Sequence, residues 1–187
     1  NTEADDNLTL FTDNNFNLLN NKFKVKNFIN LNRVNDIRFI NKFFELTNSK
    51  LEMDSYFICC VETYAARKKR KKIGLIPIIK EFYFASEFVF MRVFPKLRGF
   101  KNIYFTITRG KNRLLSKAET LGRLVSCGFE IIDYKTIEGE LFVVSKKIAK
   151  PRFDMSPSYG PIYKMPRVGK RNKIINVYKL RTMYPYS

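Results

Sequence analysis

Apolar and polar positions change period several times along this chain, and each change marks an element. From Phe23 to Leu31 they alternate loosely. Phe23, Val25, Phe28, Ile29 and Leu31 are apolar, with Lys24 and Lys26 between, which predicts a strand over about 24–31. The period then lengthens: Ile37, Ile40, Phe43, Phe44 and Leu51 recur at helical spacing behind Asn35-Asp36, a capping pair, so a helix is expected over about 36–49. Ser55 to Val61 is a continuous apolar run, as expected of a strand covered on both faces. Strand, helix, buried strand is the rhythm of an α/β fold.

Leu75 to Val93 is rich in Phe and Ile and reads as a bulky aromatic helix. Asn102 to Thr108, β-branched and aromatic, reads as a strand. Ser116 and Glu119 form a capping box. Ala118, Leu121, Leu124 and Val125 then make one helix face, and Gly128 closes the helix in the left-handed conformation. Phe129 to Ile137, a tight turn at Glu138-Gly139 and Leu141 to Val144 make an antiparallel hairpin. This divides the chain into a polar segment 1–22, frayed over 1–15, a globular body 23–147, a Pro-rich linker 148–166 with Pro151, Pro157, Pro161 and Pro166, and a basic ending 167–187. The ending reads as a turn and an apolar strand whose cations could grip an anion. It stops at Ser187 without an acidic or apolar continuation, as expected of a chain cut within a longer one.

Composition narrows the chemistry. There is no His, which removes His-based general base catalysis and most zinc sites. The three cysteines include an adjacent pair, Cys59-Cys60, and no C-x-x-C spacing, so free thiols in a reducing cytoplasm are expected. No signal peptide is read in the acidic start. No membrane-spanning helix is read either, because Lys80, Glu81, Glu87 and Arg92 interrupt the longest apolar stretch.

The net charge is +18, unevenly spread, which points to an anionic partner. One cluster is Arg67, Lys68, Lys69, Arg70, Lys71 and Lys72. Three readings stand for it: a solvated surface, a membrane or other anion surface working with the aromatic helix after it, or a nucleic-acid patch. A nucleic-acid module would use Tyr104, Phe105 and Arg109 as aromatics beside bases, with steep salt dependence.

The body 23–147 resembles the C-terminal half of a class I methyltransferase-like fold. The run Ile37 to Val61, the helix and strand over Leu115 to Ile132, and the returning Leu141 to Lys147 carry that pattern of elements. The resemblance implies an α/β, Rossmann-like sheet flanked by helices, ending in an antiparallel hairpin and followed by a short basic β segment. No Gly-rich loop follows a first strand, no acid follows a second strand to hold a ribose, and every glycine lies at or after Gly74. Methyl transfer with S-adenosylmethionine is therefore a minor alternative.

The ending is more specific. Y-G-P-I-Y-K-M-P-R-V-G-K (159–170) and I-I-N-V-Y-K-L-R-T-M (174–183) resemble the opening of the catalytic domain of bacterial sugar transferases, the phosphoglycosyl transferases of exopolysaccharide and O-antigen synthesis. With the body upstream, the resemblance extends to a subgroup of Bacteroides-type bacteria. It implies transfer of a sugar phosphate from a nucleotide diphosphate sugar to a polyprenyl phosphate, with magnesium, at the cytoplasmic face of the inner membrane. Arg167, Lys170, Lys179 and Arg181 match the motif and would bind substrate phosphate. Two departures limit the analogy. No Asp or Glu follows Asp154, so neither the family's acidic catalytic pair nor a magnesium ligand is supplied, and no cofactor or metal is expected in this stretch. The apolar membrane-entering helix of the family is replaced by polar residues 150–159. The expected role is therefore a non-catalytic region of a sugar transferase.

Overall fold

The computed structural model describes residues 7–10, 12, 25–71, 76–97, 99–152 and 162–180. In chain order the elements are β1 (Asn7–Leu10), β2 (Val25–Arg33), a 3-10 turn (Val34–Asp36), α1 (Ile40–Lys50), β3 (Leu51–Val61), α2 (Tyr64–Arg70), α3 (Pro77–Phe88), a π turn (Val89–Val93), a 3-10 turn (Phe94–Lys96), α4 (Phe100–Thr108), α5 (Lys117–Ser126), β4 (Phe129–Ile137), β5 (Glu140–Lys147), β6 (Ile162–Val168), a 3-10 turn (Lys170–Asn172) and β7 (Ile174–Leu180).

Five strands form one sheet in the order β1-β2-β3-β5-β4. The first three run parallel, and β5 enters antiparallel between β3 and β4. This is the α/β, methyltransferase-like arrangement read from the sequence, with the closing antiparallel hairpin in place. One face of the sheet holds the core. Phe57 of β3 sits at its centre, stacked on Phe28 at 5.5 Å and 8°, and contacts the rings of Phe43, Phe44 and Phe129 at 5.5–6.3 Å. Helix α1 supplies Phe43 and Phe44, and α5 supplies Leu124. The other face is covered less evenly: along β3, Tyr56 is exposed, Ile58 half-buried and Cys60 buried, against the expectation of equal cover on both.

Local chemistry fixes the ends. Ser116 Oγ accepts from the Glu119 amide at 3.2 Å, the first half of the capping box. The Glu119 carboxylate holds Arg92 and Arg123, each at 2.8 Å. Gly128 has φ +85°, and a side chain there would collide with the Ala149 carbonyl. Asn48 donates to that same carbonyl and to Cys127 O, each at 2.9 Å. The end of α5, the start of β4 and the segment leaving β5 are thereby locked together. Glu138 and Gly139 both have positive φ, 50° and 86°, the turn that matches the twist of a two-residue hairpin.

Five expectations are corrected. β3 begins at Leu51, not Ser55, so Leu51 belongs to the strand and not to the helix before it. The Pro-rich linker does not run to 166, because Ile162–Val168 is strand β6. Residues 7–10 are not frayed but form β1, parallel to β2. The helix after β2 does not start at Asp36: a 3-10 turn ends there, and α1 begins at Ile40. Asn102 to Thr108 is helix, not strand. There Phe100, Ile103, Tyr104 and Ile107 lie at helical spacing, and Tyr104 is buried against Phe90 at 5.7 Å. Packing thus overrides the β preference of the run. Residues 1–6, 13–24, Lys72 and 181–187 lie outside the described residues, as do the Gly160-Pro161 start of the motif and most of the linker.

Candidate functional site

Open α/β sheets bind ligands outside the carboxyl ends of their parallel strands. In this protein the chain's own side chains form an ion-pair network at that end of β2 and β3. Glu62 follows β3 directly and is 3% exposed. Its Oε2 meets Arg67 Nε at 2.9 Å, its Oε1 meets Arg70 Nε at 2.7 Å, and Arg33 stands 3.7 Å away. Arg33 also reaches Asp36 at 3.2 Å and Glu140 at 3.9 Å. Arg67, 1% exposed, donates onward to Asn112 Oδ1 at 2.6 Å and to the Asn112 carbonyl at 3.2 Å. The backbone joins in: Asn35 Nδ2 donates to the carbonyls of Glu62 and Arg113, each at 2.8 Å, and Asn35 Oδ1 accepts from the Glu62 amide at 2.7 Å. After β1, the Thr12 amide donates to Asn30 Oδ1 at 3.2 Å and Asn30 Nδ2 returns a bond to Thr12 O.

The network around Glu62 is balanced. Glu62, Asp36 and Glu140 face Arg33, Arg67 and Arg70, so these six side chains carry no net charge between them. Burial pushes the Glu62 carboxyl up, but the bonds and charges of Arg70 and Arg67 outweigh it and hold it below the usual carboxylate range.

The basic run 67–72 is therefore not one surface. Arg67 lies inside the network, which corrects its assignment to an anion or membrane surface. Lys68 pairs with Glu81 at 3.2 Å, and Lys71 with Glu87 at 2.7 Å and Tyr83 at 2.8 Å. Arg70 is exposed yet bound to Glu62. Lys69 faces solvent. Tyr104 and Phe105 do not form a stacking platform for bases either: Tyr104 is buried, and Phe105 lies under the guanidiniums of Arg38 and Arg113 at 5.3 and 5.7 Å.

At the chain's basic ending, the two halves of the motif pair as one antiparallel hairpin. Arg167 lies opposite Ile175, and Tyr163 opposite Lys179. Directly opposed residues share a face, and so do alternate ones, so Arg167 and Lys179 point to the same side. Four positions of strand separate their backbones, about 13 Å, so the two are not neighbours on that face. Lys170 lies in the turn beside Arg167, so the expected quartet divides: Arg167 and Lys170 at the turn end, Lys179 at the open end, and Arg181 outside the described residues. All three described cations are exposed.

No described group of His, Cys, Asp and Glu could hold a metal ion, so the residues present do not fit the magnesium site of the resembling family. The three cysteines are free and buried. Burial, with Glu140 adding, pushes the Cys60 thiol up to about 12. Burial and the charge of Glu45 push Cys127 up to about 12. Neither is a nucleophile near neutral pH.

Sequence reasoning missed Glu62, Asn35, Asn112 and Arg33. The signal was present in part: Glu62 stands directly after the second predicted strand, which corrects the expectation that no acid follows it, and bases come five and eight residues on.

No family model and no curated protein matches the chain. Solved structures similar to it include a possible exported protein from Bordetella parapertussis (12% identity, TM-score 0.38, covering 67% of this chain and 40% of that one). A second is the pyocyanin biosynthetic protein PhzM (8%, 0.40, 70% and 32%). A third is a SAM-dependent methyltransferase, possible histamine N-methyltransferase, from Thermotoga maritima (12%, 0.39, 70% and 60%). The chain thus spans less than two thirds of each. With TM-scores of this size, the fold class rests on the sheet order itself.

Proposed function

We propose that this chain is the N-terminal region of a bacterial sugar transferase. Its methyltransferase-like body is a scaffold, and its final hairpin opens the domain that moves a sugar phosphate from a nucleotide diphosphate sugar to a polyprenyl phosphate. One observation supports this best. The two motif halves, apart in sequence, pair in continuous register from Ile162 against Leu180 to Val168 against Ile174. An isolated two-stranded hairpin is at best marginally stable in water. Here Ile162, Val168, Ile174, Ile175 and Tyr178 are exposed on its faces, as suits the first hairpin of a larger domain.

In that role the chain binds and orients, while the reacting carboxylates come from elsewhere. Arg167 offers a forked donor pair, and Lys170 and Lys179 offer point charges, to the phosphates of donor and acceptor. In the transfer, the bond between the two donor phosphates breaks, a polyprenyl phosphate oxygen bonds to the sugar's phosphorus, and a nucleoside monophosphate leaves.

The test is a transfer assay on the protein of the complete reading frame, with magnesium, polyprenyl phosphate and a panel of nucleotide diphosphate sugars, read as nucleoside monophosphate release. Turnover of one sugar is expected. Arg167→Ala and Lys179→Ala should each lower kcat/KM by about tenfold or more, the loss of one charged hydrogen bond. No turnover of any sugar would overturn the proposal.

A second reading, S-adenosylmethionine-dependent methyl transfer, draws on the sheet order. The ion-pair network at the carboxyl edge weighs against it.

A further inference from the structure

Between β3 and α5 the chain leaves the sheet and builds a layer from α3, the two turns after it and α4. Its inner side is aromatic and packed: Phe84 and Tyr104 are buried, and Phe90 meets Tyr104 at 5.7 Å. Its helices also carry exposed apolar side chains. Ile78, Phe82 and Val89, spaced four and seven apart, make a single stripe. Ile78 is 81% exposed and Phe82 74%. On α4, Phe100, Ile103 and Ile107 make another, with Ile107 65% exposed. Large side chains this open, and contiguous along a helix, mark a docking surface.

Charge selects the occupant. Bases outnumber acids fourteen to two over residues 64–113, with Arg67, Lys68, Arg70, Lys71 and Arg92 held by carboxylates. Lys101 on α4 and Lys69 on α2 are exposed, and Lys80 is half-buried on α3. Apolar interfaces between folded proteins are depleted in Lys. An interfacial helix on an acidic bilayer needs the opposite: aromatic and aliphatic side chains that enter the acyl boundary, and cations that meet the headgroups. No described helix is long and apolar enough to cross a membrane, so the layer would lie in the surface plane.

We infer that the α3–α4 layer docks on an anionic lipid bilayer through Ile78, Phe82, Val89, Phe100, Ile103 and Ile107. This does not depend on the transferase reading; it needs only the exposed stripes and the basic surround.

Sedimentation with vesicles tests it on the intact chain. Binding is expected to vesicles of phosphatidylcholine with phosphatidylserine, to be weaker on phosphatidylcholine alone, and to fall with added salt. The double variant Ile78→Glu, Phe82→Glu should lose about a hundredfold in affinity, two buried side chains at roughly tenfold each. Because the protein has no Trp, Phe82→Trp adds a single fluorescent reporter at an exposed site that leaves the packed side untouched. Its emission should shift to the blue on anionic vesicles. Absence of binding to those vesicles, or an emission from the Phe82→Trp variant that does not shift, overturns the inference. So does a concentration-dependent dimer that the double variant abolishes, since that assigns the layer to a second copy of the chain.

Discussion

Replacing Glu62 with alanine is expected to cost about 3–5 kcal/mol of folding stability, the range for removing one partner of a buried ion pair. Arg67 is 1% exposed and would keep its charge. It would retain Asn112 and the 3.6 Å contact with Glu87, but its nearest carboxylate would be gone. Arg70 and Arg33 would lose the same partner. Glu62→Gln keeps the volume and one acceptor and should cost less than alanine. Urea unfolding followed by far-ultraviolet circular dichroism measures both, as a lower midpoint at unchanged slope. The pH dependence follows from the depressed carboxyl of Glu62. The unfolded state takes up this proton at a higher pH than the folded state does. The stabilisation is therefore present above the ordinary carboxylate value and lost as pH falls through the lower folded one. The Gln variant should lack that part of the acid transition.

Phe57→Ala is expected to be of similar size, about 3–5 kcal/mol, from lost burial and an unfilled cavity. Phe57 is fully buried and touches four other aromatic rings from β2, α1 and β4. Neither α1 nor the hairpin can move inward alone to fill the gap. Asn48 ties α1 to Cys127 and Ala149, and Ser145 Oγ donates to the Phe57 carbonyl at 2.9 Å. Phe57→Leu keeps most of the volume and should cost distinctly less. The same urea titration separates the two.

Much of the fold was legible because it is local. The Phe129–Lys147 hairpin announces itself through Glu138-Gly139, and α5 through Ser116 and Gly128. β2 follows from a loose alternation and the second half of β3 from an apolar run, while Leu51, counted in the helical pattern, starts β3. The errors arise where distant packing decides. β1 has only four residues, and its identity as a strand comes from pairing with β2 some twenty positions on. Residues 102–108 carry a strand composition, yet Tyr104 is drawn under Phe90 as part of a helix.

The candidate site divides in the same way. Arg167 and Lys179 could be picked from the motif, but their separation depends on the register of the hairpin. Arg67 looked like one of six equivalent bases. Its burial depends on Glu62 five residues back and on Asn112, which is 45 positions away in sequence and joins it only in the folded chain. A run of bases carries no mark of which one turns inward.

The carboxyl end of β2 and β3, where open α/β sheets take their ligands, is occupied by the Glu62 network, and the scaffold role proposed for the body rests on that. Calorimetric titration of the chain with S-adenosylmethionine addresses this directly. An edge held by its own ion pairs predicts no saturable heat. Saturable, stoichiometric binding that Glu62→Gln alters would contradict it and move the assignment to methyl transfer.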